Sequence, residues 1–162
     1  MERLPTIDSK TLAFYILNKY GKMSHLKLQK LIYFVEGYHL AYFQGASLID
    51  DDFEAWAHGP VSKTLYNTLK NLAILYGDIT SDDMLHEISS VEDIESKLYS
   101  AQKEIIDEVL EMYIKEDGIT LEGITHQQTP WIIARGNLPP YAKCNNRIDK
   151  NLMKDYFSKL LN

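Results

Sequence analysis

The segment KLQKLIYFVEGYHLAYFQG, residues 27–45, is the densest apolar stretch of the chain, and it is soon followed by LIDDDFEAWAHGPVSKTLY, residues 48–66, which contains an acidic turn. Its apolar residues recur at helical spacing, and its aromatic residues widen the stripe around most of the helix. A helix that is apolar on so many sides has to be buried. We therefore predict a central helix, capped by Ser24, whose core and scaffold residues include Leu28, Leu31, Tyr38 and His39.

The whole pattern predicts a mainly α fold, with residues 1–162 forming a single compact multi-helix domain. Apolar spacing and capping residues place helices at about 11–20, 24–43, 60–76, 92–115 with a break near Ser100, 120–126 and 150–161. Gly37, inside the central helix, costs about 1 kcal/mol relative to Ala, which predicts that another backbone passes close by.

A small β-hairpin is expected between the second and third helices. Residues 47–49 and 53–57 have strand-like patterns and are separated by three consecutive Asp residues, which favour a turn. Pro60 is then predicted at the first position of the third helix, where a missing N–H costs nothing. Residues 78–90 are polar and aperiodic, and we expect them to form a mobile insertion.

Composition indicates an ordinary globular protein of the cytoplasm. Of the 162 residues, 45% are hydrophobic and 25% are charged, and no apolar run approaches the length of a membrane span. The N-terminal residues lack the apolar centre of a signal peptide. The single cysteine, Cys144, excludes an internal disulfide and is typical of a reducing compartment. We therefore expect no membrane partner.

The net charge of −6 is unevenly distributed, because residues 71–117 carry 3 basic and 13 acidic side chains. Such a segment is a poor match for a phosphate backbone but suits a basic protein partner. A solvated helix face explains the same charges without any partner. The best basic cluster, at Lys22, His25, Lys27 and Lys30, is modest, so direct nucleic-acid binding is not expected.

Known catalytic and metal-binding patterns are absent from the sequence. The five histidines, at positions 25, 39, 58, 86 and 126, never pair at the spacings that form a zinc site. There is no GxSxG elbow or phosphate-binding glycine loop. Asp50, Asp51 and Asp52 are typical turn formers rather than a catalytic pair. The residues therefore predict a protein that is not an enzyme and has no metal or cofactor.

The order of motifs resembles the Panacea domain, the SocA-like and GepA-like antitoxin family of phages and bacteria. The residues that carry the resemblance are 27–31, Tyr33, 37–40, 54–56, 58–61, Tyr66, Leu121, Thr125, His126, Pro130, Trp131, Tyr156 and Phe157. The resemblance implies a non-enzymatic antitoxin that binds and neutralises a cognate toxin protein. Some members present their toxin to a cytoplasmic protease. A phage-associated regulator or protease adaptor without a cognate toxin stays open as the alternative.

Two segments combine histidine, proline and tryptophan, one around residues 56–60 and the other around 126–131. We hypothesise that they pack together around Tyr38 and His39 and shape one surface or pocket for a partner. The candidate contact residues are Glu54, Trp56, His58, Gly59, Pro60, His126 and Trp131. The alternative is that the two tryptophans only fill the core, where large aromatic side chains contribute most to burial.

Overall fold

The fold is mainly α, as predicted. Over residues 3–85 and 92–161, which the computed structural model describes, there are eight helices and two antiparallel two-stranded sheets. The helices are α1 (Ser9–Tyr20), α2 (His25–Tyr42), α3 (Lys63–Leu69), α4 (Glu92–Lys97), α5 (Ser100–Tyr113), α6 (Gly118–Thr125), α7 (Thr129–Arg135) and α8 (Lys150–Leu160). The strands are β1 (Met23–Ser24), β2 (Phe53–Trp56), β3 (Gly59–Ser62) and β4 (Asp78–Ile79). No described helix combines the length and apolar character needed to cross a bilayer.

Helix α2 is the central helix, which confirms the prediction from its apolar pattern. Of its 18 residues, 15 are buried, including all four predicted scaffold residues. Helices α1, α5, α6 and α8 and strand β3 all pack against it. The Ser24 side chain caps its first turn by accepting a hydrogen bond from the backbone N–H of Lys27.

Aromatic rings join α2 to α8 and α5. The Phe157 ring centroid lies 5.7 Å from that of Tyr33 and 4.9 Å from that of Tyr38. Phe34 stacks on Tyr113 at 4.4 Å. A Cβ atom at Gly37 would collide with the Phe157 ring. The predicted close approach at Gly37 is therefore made by a side chain, and the expectation of a neighbouring backbone was wrong.

Buried polar side chains of α2 fix the loops around it. Glu36 accepts hydrogen bonds from the N–H groups of Leu48 and Ile49 at 2.8 and 3.3 Å and pairs with the Lys150 ammonium at 2.8 Å. Burial raises the pKa of Glu36, although Lys150 and the two N–H groups oppose the shift. One buried carboxylate thus holds both the 47–49 segment and the start of α8.

His39 has a similar role about a turn further along α2. Its Nδ1 donates to the Ala46 carbonyl at 2.7 Å, and its Nε2 accepts from the Gln102 amide at 3.2 Å. Burial lowers the pKa of His39 from 6.5 to about 4, so the ring is neutral near pH 7. The neutral ring joins the end of α2 to α5.

The hairpin exists, and β2 confirms its second predicted strand, but the first predicted strand, at 47–49, was wrong. Strand β2 pairs with β3, and the turn lies at residues 57–58 instead of at the three Asp residues. On its other side β2 bonds to the 146–148 segment, so β3 is an edge strand that tolerates Pro60. The 47–49 segment cannot pair with β2 because Glu36 binds its N–H groups.

The third helix is shorter than predicted at both ends. It begins at Lys63, where the Ser62 side chain accepts from the Leu65 N–H, and it ends at Leu69. Leu72 and Tyr76, expected on its inner face, are exposed. The chain leaves the helix because its next residues bond to the start of α2. The carbonyls of residues 75 and 77 accept from backbone N–H groups of α2 that lack intrahelical partners, and the carbonyl of Ala73 bonds to the His25 side chain.

The C-terminal half follows the predictions more closely. The break between α4 and α5 falls at residues 98–99, beside the predicted position, and α8 ends within one residue of its expected bound. The 78–90 region is not wholly irregular, because β4 pairs with β1 and a 3₁₀ turn covers Asp82–Met84. Residues 86–91, which include His86, lie outside the described residues, and with them lies the remainder of the predicted mobile insertion at 78–90.

The first testable prediction concerns the Tyr33 hydroxyl, which is buried and has no hydrogen-bond partner within the described ranges. Tyr33→Phe removes this unsatisfied group from the core, so we expect the free energy of unfolding to rise by about 1 kcal/mol. Tyr38→Phe is the matched control and should lower it, because the Tyr38 hydroxyl bonds to that of Tyr113 at 2.9 Å. Urea denaturation measures both; a less stable Tyr33→Phe variant would contradict the prediction.

Candidate partner-binding site

The two segments that combine histidine, proline and tryptophan meet at the end of the β2–β3 hairpin. The Trp131 indole donates to the Trp56 carbonyl at 2.8 Å, and His126 Nε2 donates to the Ala57 carbonyl at 2.9 Å. The His126 and Trp131 rings stack with their centroids 4.3 Å apart. Helices α6 and α7 therefore support the hairpin turn through side chains that bind its backbone.

Tyr38 and His39 do not belong to this junction, which corrects the sequence-based hypothesis. Tyr38 packs on Phe157 and bonds to Tyr113, and His39 bonds to Ala46 and Gln102. Helical spacing places these two residues on a buried stripe but does not say which turn of α2 meets the hairpin.

The residue of α2 that meets the turn end of the hairpin is Lys30, which is completely buried. Its ammonium donates to the Pro60 carbonyl at 2.8 Å. Burial lowers the pKa of Lys30 from 10.5 to about 7, and the negative charge of Glu122 opposes part of this shift. Its buried ammonium thus fixes the beginning of β3 against α2.

Gly59 is required where Lys30 passes the hairpin. Its φ of +93° is in the region that favours glycine. A Cβ atom there would lie 2.6 Å from Lys30 Cε and 2.6 Å from the Thr125 hydroxyl. Both the turn and the close packing of α2 and α6 beneath it therefore depend on the absence of a side chain.

Arg135 fixes the loop that follows α7, which forms the wall of the site facing the hairpin. Its guanidinium lies 4.9 Å from the Trp131 ring centroid and donates to the Ala55 carbonyl at 2.8 Å. It also donates to the carbonyls of Pro139 and Ala142, at 2.7 and 2.6 Å. One buried side chain thus ties the loop that follows α7 to strand β2.

Between this loop and the hairpin lies a cleft of about 640 Å³, called here the Trp56 cleft. Its lining residues are Glu54, Trp56, Ala57, His58, Lys63, Tyr66, Tyr141, Lys143, Cys144 and Asn145. The Trp56 indole donates to Glu54 at 2.9 Å, and its ring meets Tyr66 edge to face at 4.9 Å. The Lys63 ammonium lies 5.5 Å from the Trp56 ring centroid. The cleft therefore presents a half-buried aromatic surface with charges of both signs at its edge.

His58 lines the cleft and contacts two residues that do not line it, Glu122 and Tyr76. Its Nδ1 lies 3.0 Å from a carboxylate oxygen of Glu122 and 3.0 Å from the Tyr76 hydroxyl. The side chain is 45% exposed, so part of the ring faces solvent.

The predicted site residues thus divide into two groups. Glu54, Trp56 and His58 line the cleft, whereas Gly59, Pro60 and Trp131 are buried and His126 is half-buried beneath the turn. The alternative that the tryptophans fill the core applies to Trp131, which is 5% exposed, and does not apply to Trp56.

Several residues that build this site were not predicted from the sequence. They are Lys30 as a buried support, Lys63, Glu122, Arg135 and Tyr141. A lysine within the most apolar helix was the available signal for Lys30. The sequence contains no signal for loop residues such as Tyr141. Their position depends on hydrogen bonds from Arg135 to the loop carbonyls, which the local sequence does not reveal. Among the described residues, no three His, Cys, Asp or Glu side chains are grouped closely enough to hold a metal ion.

Comparison with known proteins gives a consistent result. Residues 28–132 match the family model described as antitoxin SocA-like, Panacea domain. Antitoxin SocA of Caulobacter vibrioides (strain NA1000 / CB15N) is 37% identical over 65 residues, which are 38% of this chain and 34% of that protein. The chain thus matches about a third of that relative's length. No solved structure matches significantly. Tyr156 and Phe157 lie beyond the family match.

A second testable prediction follows from the buried Lys30. Because its pKa is lower in the folded chain, the folded state binds fewer protons than the unfolded state above about pH 7. Stability should therefore rise with pH between about 7 and 9.5, by at most about 1.4 kcal/mol per pH unit from this group. The difference in unfolding free energy between the natural protein and Lys30→Met should change over that range, in the direction that favours the natural protein at higher pH.

Urea denaturation at several pH values measures this difference. The exposed Lys159→Met variant is the control and should follow the pH profile of the natural protein. A difference for Lys30→Met that stays constant with pH would show that Lys30 keeps an ordinary affinity for its proton.

Proposed function

The chain belongs to the SocA-like Panacea family of antitoxins, and from this membership we propose that it is a non-enzymatic antitoxin that binds and neutralises a cognate toxin protein. The observation that carries the proposal is the family match over residues 28–132, which includes most of α2, the hairpin and the first half of α7. We place the pair in the cytoplasm, where the thiol of Cys144 stays reduced.

We propose that the toxin binds at the Trp56 cleft. Binding energy at protein interfaces concentrates in a few large side chains, often Trp and Tyr, that enter or line a pocket. Trp56, Tyr66 and Tyr141 provide such rings at this cleft, and Glu54 and His58 provide polar groups at its edge. In this proposal Gly59, Pro60, His126 and Trp131 position the surface and do not contact the toxin.

The buried side chains that support the cleft favour this choice. Lys30 and Arg135 hold the two walls through hydrogen bonds to main-chain carbonyls, and both side chains are buried. A surface that is already ordered loses little conformational entropy when it binds. Neutralisation by binding alone needs a tight complex, to which such preorganisation contributes.

A growth assay tests the antitoxin proposal. The neighbouring gene is expressed alone and then together with this protein. Growth arrest in the first case and recovery in the second, followed by co-purification of the two proteins, is the expected result. A harmless neighbour, or toxicity without recovery, would contradict the proposal and favour the regulator or adaptor without a cognate toxin.

A third testable prediction concerns the Trp56→Ala variant in this assay. Because Trp56 is only half-buried, we expect the variant to keep its helical circular dichroism signal while its affinity for the toxin falls by about 2 kcal/mol or more. The matched control is Tyr42→Ala, which removes an exposed ring outside the cleft and should still neutralise. An unfolded Trp56→Ala variant, or one that neutralises normally, would overturn the assignment of the cleft.

A further inference from the structure

A second surface depression lies between α5 and α8 and shares no residue with the Trp56 cleft. It is called here the α5–α8 groove, has a volume of about 570 Å³, and is lined by Lys19, Tyr38, Asp107, Glu108, Glu111, Met112, Leu160 and Leu161. Three of its apolar side chains are open to solvent: Met112 is 54% exposed, and Leu160 and Leu161 are each 47% exposed. Side chains of this kind gain free energy when a partner covers them.

Acidic side chains border the apolar part of the groove. Glu104, Glu108 and Glu111 are exposed and follow one another at spacings of four and three residues, which puts them in one row along α5. Met112 follows Glu108 by four residues and lies beside this row. The groove thus combines exposed apolar side chains with acidic side chains of α5, of which Asp107, Glu108 and Glu111 line it and Glu104 lies one turn earlier on the helix.

Most of this negative charge is not neutralised within the described ranges. The Lys19 ammonium pairs with Asp107 at 3.2 Å, and Glu111 accepts a hydrogen bond from the Tyr20 hydroxyl at 3.0 Å. Glu104 and Glu108 have no partner among the residues that the structure describes. Lys19 is the single basic residue lining the groove, and Asp107 already engages it.

We propose that the α5–α8 groove binds a basic amphipathic helix of the toxin. This inference rests on the proposed function and adds the chemistry of the partner. An amphipathic helix lays its apolar side chains into a groove at spacings of three and four residues, and Met112, Leu160 and Leu161 offer that face exposed apolar side chains to cover. Lys or Arg side chains at the same spacing on its flank reach Glu104, Glu108 and Glu111.

The charge of the region favours this occupant over others. Residues 71–117 carry 13 acidic and 3 basic side chains, so an anionic membrane or a nucleic acid would be repelled. A second copy of the chain would bring the same negative charge against itself. A basic helix is attracted at long range, and Met112 adapts its shape to different apolar side chains.

The experiment uses three labelled peptides of about 18 residues, which form about 27 Å of helix. The first has a Leu face and a Lys face, the second replaces Lys with Glu, and the third keeps Lys but replaces Leu with Ser. Fluorescence anisotropy with the purified protein should show binding of the first peptide alone, weakened by added salt. Equal binding of the first and third would mean general charge attraction and would overturn the proposal, as would no binding.

Protein variants locate the binding site. Glu104→Gln with Glu108→Gln removes two carboxylates that have no partner in the described part of the chain, so folding should be unaffected. The affinity for the first peptide should fall about tenfold. Asp78→Asn with Asp82→Asn removes the same charge from exposed positions outside the groove and should leave the affinity unchanged. Equal losses in the two pairs would place the effect in the overall charge and overturn the proposal.

The outcomes also separate this inference from the antitoxin proposal. If the toxin is neutralised but the Lys–Leu peptide does not bind, the groove assignment fails and the antitoxin proposal stands. If the peptide binds but the neighbouring gene product is harmless, the antitoxin proposal fails, and with it the assignment of the helix to a toxin.

Discussion

The burial of α2 on all sides is the constraint on which the other elements depend. A polar side chain on a helix without a solvent-facing side has to find its partner inside the protein. Five such side chains of α2 bind the main chain of six surrounding residues: His25 binds Ala73, Gln29 binds Ser62, Lys30 binds Pro60, Glu36 binds Leu48 and Ile49, and His39 binds Ala46. The central helix thus determines where the surrounding loops and the hairpin lie.

The dependence of the loops on α2 explains which elements could be predicted from the sequence and which could not. The position of α2, its cap at Ser24, the break before α5 and the extent of α8 follow from apolar spacing and local capping, and the structure confirms them. The pairing of β2 with β3 and the end of α3 could not be predicted, because they depend on hydrogen bonds between residues far apart in sequence. Local pattern favoured pairing of 47–49 with β2, but Glu36 holds that segment elsewhere.

The candidate site was predicted only incompletely for the same reason. Its two segments share an unusual composition, and the structure places them in contact. Their support was assigned to the wrong turn of α2, since Lys30, rather than Tyr38 or His39, lies beneath the hairpin. The Trp56 cleft and the α5–α8 groove differ in chemistry: the cleft is aromatic with charges of both signs, and the groove is apolar with negative charge. A single partner that used both would gain affinity from their linkage.

The packing of α2 against α8 also bears on how the chain is made. Tyr33 and Phe34 leave the ribosome long before Phe157, the ring that covers them in the folded protein. Contacts between such distant regions of a chain form slowly, because a long loop has to close first. During synthesis the helix with the most buried residues therefore lacks its cover, and the growing chain exposes apolar surface to chaperones and proteases until α8 has emerged.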